Sequence, residues 1–486
     1  MTSPLAQKLF RTKPVVPVAE EGHLSSGGLG RTLGLFPLTM IGVGATIGTG
    51  IFFTMVEAVP KAGPSVILSF LIAALTAGLT ALCYAELSFK IPASGSSYSY
   101  AYASVGEFGA FVVAACLLLE YGLAVSAVAI GWSDYLNNFV QNAFGWHIPA
   151  ALRSPMIASV DNTMVFHFDR INLPPMLLVG LCCFLLVRGT KESATTNAIM
   201  VLIKLAILIF FVVIALSGFD SKNFFPFFNT DNSKGMAGMA GVTAAAGTVF
   251  FSFIGLDTVA TAGEEVRDPK RTVPAGILLA LLIVTVFYML VAVAAIGAQP
   301  AAKFAGQEAG LAVILQDVTG QTWPALVLSA GAVLSVFSVT LVTLYGQTRI
   351  LFAVSRDGLI PPLFHKVNPT SLAPVENTMI VAALVAVVAG TVDATFLWDM
   401  VSMGTLTAFI IVSIAVPVMR RKDGDARGGF RVPFGPYVIP SLSVIACLYI
   451  MKDLPGVTFR VFVVWMTAAI ATYLLYGHKH SKLNKA

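Results

Sequence analysis

Several stretches of this chain run for 25 residues or more without a charged side chain, among them Ala275 to Gln299 and Thr322 to Thr348. A membrane-crossing helix needs about 20 mostly apolar residues, whereas a soluble domain would have to bury every such run as a core helix. Composition decides between the two. Of 486 residues, 57% are hydrophobic and 11% charged, where ordinary soluble domains carry roughly a quarter charged residues. The sequence therefore predicts an all-α integral membrane protein and excludes a soluble multidomain chain. Cys83, Cys116, Cys182, Cys183 and Cys447 all lie within apolar runs, which suggests packing rather than disulfides or a metal site. No Asn-x-Ser/Thr acceptor occurs, and the first thirty residues lack the short apolar core of a cleavable signal peptide. These features point to a bacterial inner membrane.

Twelve candidate spans follow from the apolar runs, at 35–58, 65–89, 104–135, 172–188, 193–217, 238–263, 273–298, 323–352, 377–394, 396–419, 434–451 and 457–477. With a cytosolic amino terminus, 21 lysines and arginines fall on the inner side and eight on the outer, while Lys204 lies inside the fifth span. That asymmetry obeys the positive-inside rule and places both termini in the cytosol. The expected organisation is a cytosolic tail (1–34), a first repeat (35–217), a second repeat (238–419), two further spans (434–477) and a cytosolic tail (478–486). Outer connectors, of which 136–171 is the longest, read as simple loops, and the inner connector 349–376 has room for short surface helices.

Two spans are interrupted by glycine-rich segments, Gly42-Val43-Gly44-Ala45-Thr46-Ile47-Gly48-Thr49-Gly50 and Ser252-Phe253-Ile254-Gly255-Leu256-Asp257. Hydrocarbon supplies no hydrogen bonds, so backbone freed by a break must face protein, water or solute. The alternative is close packing, because Gly44-x-x-x-Gly48 fits the small-xxx-small pattern of helix interfaces. The first break is in span one and the second in span six, corresponding places in two five-helix halves that run in opposite directions. Matched interruptions of this kind are the best sequence pointer to a transporter's midplane site. Unwinding exposes N–H groups that suit a carboxylate and carbonyls that suit an ammonium. An α-amino acid carries both. The N–H groups of Thr49 and Gly50 are assigned to the carboxylate, and the carbonyls of Thr46, Phe251 and Ile254 to the ammonium. Ile47, Gly48 and Ser252 complete the lining, and Phe251 also serves as an aromatic gate.

Gly44-Ala-Thr-Ile-Gly-Thr-Gly-Ile-Phe52, Phe250-Phe-Ser-Phe-Ile-Gly-Leu-Asp257 and Glu264-Glu-Val-Arg-Asp-Pro-Lys-Arg-Thr-Val-Pro274 resemble the first helix, sixth helix and following inner loop of the amino acid–polyamine–organocation superfamily. Tyr84-Ala-Glu86, Pro92-Ala-Ser-Gly95, Lys191-Glu-Ser193, Tyr345-Gly-Gln-Thr-Arg349 and Ser355-Arg-Asp-Gly-Leu359 extend the resemblance from about residue 30 to 476. The chain looks closest to the cationic amino acid transporter branch and its bacterial relatives. The resemblance implies a leucine-transporter-type fold, a 5+5 inverted repeat with helices 1 and 6 broken plus two extra helices. It also implies a central amino-acid site and alternating access.

Ionisable groups inside a span are costly and are functional candidates. Lys191, at the start of the fifth span, reads from position alone as a lysine snorkelling to the headgroups. The resemblance instead implies that it replaces a sodium ion and couples transport to protons. Glu120, mid-span, is expected to face the substrate side chain and to favour Lys, Arg or ornithine, with a packed carboxyl as the alternative. Thr343 is a second candidate for that pocket. Asp257 is expected to cap the inner half of span six or to take part in gating. Glu86, Glu264, Glu265, Arg267 and Arg349 are candidates for an inner charged gate, and Lys204 is given no role.

No charged ring or carbonyl filter supports a channel. His23, His147, His167, His365, His478 and His480 all fall in loops or tails, leaving no catalytic constellation inside a span. The reading is thus a secondary active permease for cationic or small neutral L-amino acids, not an enzyme, with an exchanger or a membrane sensor as alternatives. It needs no cofactor or metal; the coupling ion is a proton, with sodium second. The partners are the substrate and the lipid bilayer, no nucleic acid is involved, and an accessory membrane subunit is left open.

Overall fold

A computed structural model describes residues 9–13, 33–48, 50–91, 96–160, 163–188, 194–230, 237–262, 266–368, 373–423 and 430–484. Thr49, Lys191, Glu264 and Glu265 lie outside the described residues.

Every apolar range found in the sequence carries helix. The first is split into α1 (Leu35–Thr46) and α2 (Thr54–Ala62), followed by α3 (Val66–Lys90), the short α4 (Ser96–Ser104) and α5 (Glu107–Phe144). Then come α6 (Leu173–Val187), α7 (Ala194–Ser217), and a second split pair, α8 (Met239–Phe250) and α9 (Thr258–Thr261). The chain continues through α10 (Pro269–Ala298), α11 (Gly310–Thr319), α12 (Trp323–Arg356), α13 (Val375–Thr391), α14 (Ala394–Asp423), α15 (Gly435–Met451) and α16 (Gly456–Thr472). By length and composition, eight helical stretches among the described residues can cross a membrane, and five further apolar helices are shorter, at 10–17 residues.

Two details depart from the sequence reading. The connector 136–171 is not a bare loop: α5 continues to Phe144, and β1 (Ile157–Val160) pairs antiparallel with β2 (Thr163–Phe166). Between α10 and α12 lies α11, too short to register as a span. Its Gly310 is where Val56 of α2 packs, since a Cβ there would come within 2.4 Å of Val56 Cγ2.

The long α5 is the hub, packed against α12, α14, α13 and α6, while α3 pairs with α10 and α1 lies between α10 and α7. Large apolar side chains such as Leu177, Val213, Leu282, Leu384, Ile445 and Val464 point outward. In water they would make an extensive exposed apolar surface; in a bilayer they meet lipid. Hydroxyls in the interior are satisfied locally: Thr39 donates to the Leu35 carbonyl and Thr340 to that of Val336. Others stitch helices together, Ser69 to the Val242 carbonyl and Ser402 to that of Gly247. Both patterns keep polar atoms out of hydrocarbon.

Candidate solute site between two broken helices

The first break is real backbone irregularity. Helix α1 stops at Thr46 because Ile47 turns extended (φ −78°, ψ 115°) and Gly48 takes φ +128°, which only glycine adopts cheaply. Helix resumes at Thr54, whose N–H and that of Phe53 both donate to the Gly50 carbonyl. In the second break α8 tightens into a 3-10 turn at Phe251–Phe253. Ile254 is then extended, and Gly255 sits at φ +100° before α9 begins.

The two breaks touch. A Cβ on Gly50 would lie 2.3 Å from Ser252 Cα, and one on Gly255 would lie 3.0 Å from the Ala45 carbonyl oxygen. Packing and unwinding, weighed as alternatives from sequence, are thus divided among the glycines. Gly42 and Gly44 admit Val259 of α9 and Val201 of α7, Gly48 supplies the left-handed turn, and Gly50 lets backbone meet backbone.

Three side chains tie the junction together. Tyr288 of α10 donates to the Thr46 carbonyl at 2.9 Å and the Ser252 carbonyl at 2.8 Å, spanning both breaks. Thr54 and Ser252 share a hydroxyl–hydroxyl bond at 3.1 Å. The Thr46 carbonyl and Ser252 therefore already have structural partners, although a carbonyl oxygen keeps a second lone pair. Lys204 of α7 is buried and donates its ammonium to the Gly44 carbonyl at 3.1 Å. Its Nζ lies 3.7 Å from where a Gly48 Cβ would be. No partner for this lysine is legible in the sequence; the fold puts it against the first break. Phe251 is fully buried, its ring 6.0 Å from that of Trp398 on α14. On α12 it is Val339 that meets Gly48, and Thr343, one turn further on, is half-buried.

Other assignments shift. Asp257 immediately precedes α9, at the cap position, but makes no side-chain cap bond; its carboxylate accepts from Tyr121 of α5 at 3.1 Å and Ser96 of α4 at 3.5 Å. The capping expectation gives way because those hydroxyls reach it across the helix interface. Glu120 is buried on the α5 face that meets α14 at Gly404, with Asp257 as its electrostatic neighbour. Of the expected charged gate, Glu86 pairs in bidentate fashion with Arg420, at 2.7 and 2.5 Å, and accepts from the Val432 N–H. Arg267 and Arg349 form no ion pair among the described residues; Arg349 lies over the Tyr345 ring.

The network that sequence reasoning missed centres on Glu107, the first residue of α5 and fully buried. It accepts from Arg11 Nε and Nη2 at 2.9 Å each, Tyr102 at 3.1 Å, Tyr473 at 2.9 Å and Ser481 at 2.6 Å. Beside it Lys13 pairs with Asp357 at 3.0 Å. Both ends of the chain are thereby fastened at one end of the molecule. No sequence signal could reveal partners 96 and 374 positions apart.

Comparison with known proteins agrees with this architecture. The family described as amino acid permease matches residues 33–475. The methylthioribose transporter of Bacillus subtilis (strain 168) is 42% identical over 479 residues, covering 98% of this chain and 99% of that protein. The branched-chain amino acid permease of the same organism is 41% identical over the same extent. The vacuolar cationic amino acid transporter 2 of Arabidopsis thaliana is 36% identical over 421 residues, 86% of this chain but 64% of the plant protein. All are named as transporters or permeases rather than enzymes. The chain belongs to the amino acid permease family of the amino acid–polyamine–organocation superfamily, a group of multi-pass membrane proteins.

Proposed function

We propose that this permease carries an L-α-amino acid zwitterion across a bacterial cell membrane by alternating access, coupled to protons. The proposal includes twelve spans in a 5+5 inverted repeat, with α1–α2 and α8–α9 as the broken pair and both termini cytosolic. The observation that carries it is the meeting of two interrupted helices at Gly50 and Ser252. Helix ends aimed at one point supply N–H groups and carbonyls together, the donor and acceptor set of a zwitterion. Thr49, Gly50, Ile47 and Gly48 would hold the carboxylate end. The carbonyls of Thr46, Phe251 and Ile254 would hold the ammonium.

The side-chain pocket is proposed to be apolar. Val339 and Phe251 are the side chains brought to the breaks, while Glu120 sits beside Asp257. Together with the branched-chain permease relative, this favours Leu, Ile or Val over Lys or Arg. The cationic reading rests on Glu120 and on relatives named as cationic amino acid transporters.

For coupling, the geometry favours Lys204. A protonated ammonium on the Gly44 carbonyl braces α1 against α7; on deprotonation it loses its charge and that brace weakens, freeing α1 to move. Lys191, in the same span, is the second candidate. Uptake of labelled L-leucine into proteoliposomes, with and without an imposed pH gradient, tests the proposal. A competition panel should contain the twenty amino acids, ornithine, polyamines and methylthioribose. Saturable accumulation driven by the gradient is expected; unsaturable flux, or competition by methylthioribose alone, would refute it.

A further inference from the structure

The two ends of the chain meet at the junction of α4 and α5, and both lie outside residues 33–475, the range of the family match. From the N-terminal side, the Lys13 N–H donates to the Tyr102 carbonyl at 3.3 Å, and the Glu107 N–H donates to the Arg11 carbonyl at 2.9 Å. Gly106, at φ +110°, lets that segment in: a Cβ there would lie 2.8 Å from the Phe10 carbonyl carbon. From the C-terminal side, Ser481 is bound to Glu107, and the Lys482 N–H donates to the Asp357 carbonyl at 3.1 Å. The backbones touch here as well, since a Cβ on Gly358 would lie 2.3 Å from the His480 carbonyl oxygen. Asn484 closes the ring by accepting from Arg11 Nη1 at 2.8 Å, and Leu9 and Leu483 pack on one apolar cluster.

Helix α4 runs between this junction and the second break. All of its residues except Ser99 are buried. Tyr98 donates to the Asp357 carboxylate at 2.8 Å and Tyr102 to that of Glu107 at 3.1 Å, which fastens the helix to both chain ends. At its other end Ser96 reaches Asp257, which is buried behind it. Ser96 holds φ +45°, a left-handed conformation that costs a non-glycine residue and persists only where its surroundings impose it. What imposes it is therefore the clamp on α4. The outer bonds of that clamp, Arg11 to Asn484 and Lys13 to Asp357, are exposed to water. Water replaces such hydrogen bonds at small net cost, so a junction made of them can open and close where a close-packed apolar seam would not.

We propose that residues 481–484 are a cytosolic latch: while they hold Glu107 and Asp357, α4 stays shut against Asp257, and their release opens the solute site to the cytosol. This rests on the alternating-access and orientation readings proposed above. The latch acts on the inner side alone, so its signature is water reaching α4 from the cytosol, which is read without any substrate.

The test is thiol labelling of the full chain carrying Ser96→Cys, in inside-out membrane vesicles, with a membrane-impermeant methanethiosulfonate and no amino acid present. Truncation after His480 removes the latch and is expected to speed labelling about fivefold or more. Ser481→Ala combined with Asn484→Ala leaves the chain whole and should speed it about threefold; this pair decides the matter if the truncated chain folds poorly. Cys83, Cys116, Cys182, Cys183 and Cys447 lie within helices and report any general loosening. Unchanged labelling at position 96 overturns the latch. Acceleration that extends equally to the native cysteines overturns it too, because the tail then only holds the fold together. Faster labelling from right-side-out vesicles would instead strike the orientation reading, and absence of leucine uptake by the wild type would strike the transport reading while leaving the labelling result intact.

Discussion

Replacing Gly50 by alanine isolates the contact between the two breaks. Gly50 does not have a positive φ, so alanine meets no backbone penalty there and the effect is steric. Its Cβ would lie 2.3 Å from Ser252 Cα. Ordinary contact begins at 3.4 Å, so the breaks must part by about 3.4 − 2.3 = 1.1 Å. Tyr288 cannot follow both sides, since it holds the Thr46 and Ser252 carbonyls at 2.9 and 2.8 Å. Overpacking costs about 1–3 kcal/mol and the lost hydrogen bond about 1 kcal/mol, together roughly 2–4 kcal/mol out of the 5–15 typical of a folded domain. Thermal unfolding of the purified protein should therefore occur at markedly lower temperature, and leucine binding should weaken at least tenfold. Gly180→Ala is the control: nothing lies within 4 Å of its Cβ, and helix propensity should hold or raise stability. If Gly50→Ala matches the wild type in both measurements, the breaks do not meet as described.

Lys204→Met should abolish pH-driven accumulation while leucine counterflow persists; full accumulation by this variant would remove Lys204 from coupling, and Lys191→Met then becomes the decisive variant. Arg11→Ala leaves the buried Glu107 carboxylate short of its cation, at a cost of about 3 kcal/mol or more. Differential scanning fluorimetry should show the loss, and Arg11→Lys should restore little of it because the bidentate geometry is gone. Gly48→Ala combines a φ of +128° with a Cβ 2.9 Å from Val339 Cγ2, so substrate binding should be lost more fully than in Gly42→Ala, which only crowds Val259 and Ala280.

The long apolar runs made the helices legible, because hydrocarbon thickness fixes their length and leaves little room for charge. Glycine clusters made the breaks legible for a similar local reason: Gly48 and Gly255 occupy backbone that other residues avoid. What the sequence hid is tertiary. Lys204 looked partnerless because its acceptor is a main-chain oxygen 160 positions away. Asp257 looked like a cap because its position in the chain is that of one, yet Tyr121 and Ser96 reach it from other helices. Glu107 drew no notice in the sequence, because only the fold gathers Arg11, Tyr473 and Ser481 around it. Helix α11 escaped notice since ten residues are too few to mark a span.

The proposed binding site consists of backbone groups at the two breaks. An experimental structure with L-leucine bound tests this directly. The prediction is a carboxylate on the N–H groups at positions 49 and 50, an ammonium on the carbonyls of Thr46, Phe251 and Ile254, and the side chain beside Val339. Leucine bound elsewhere, or unbroken helix through residues 47–53 and 251–257 around it, would contradict the account.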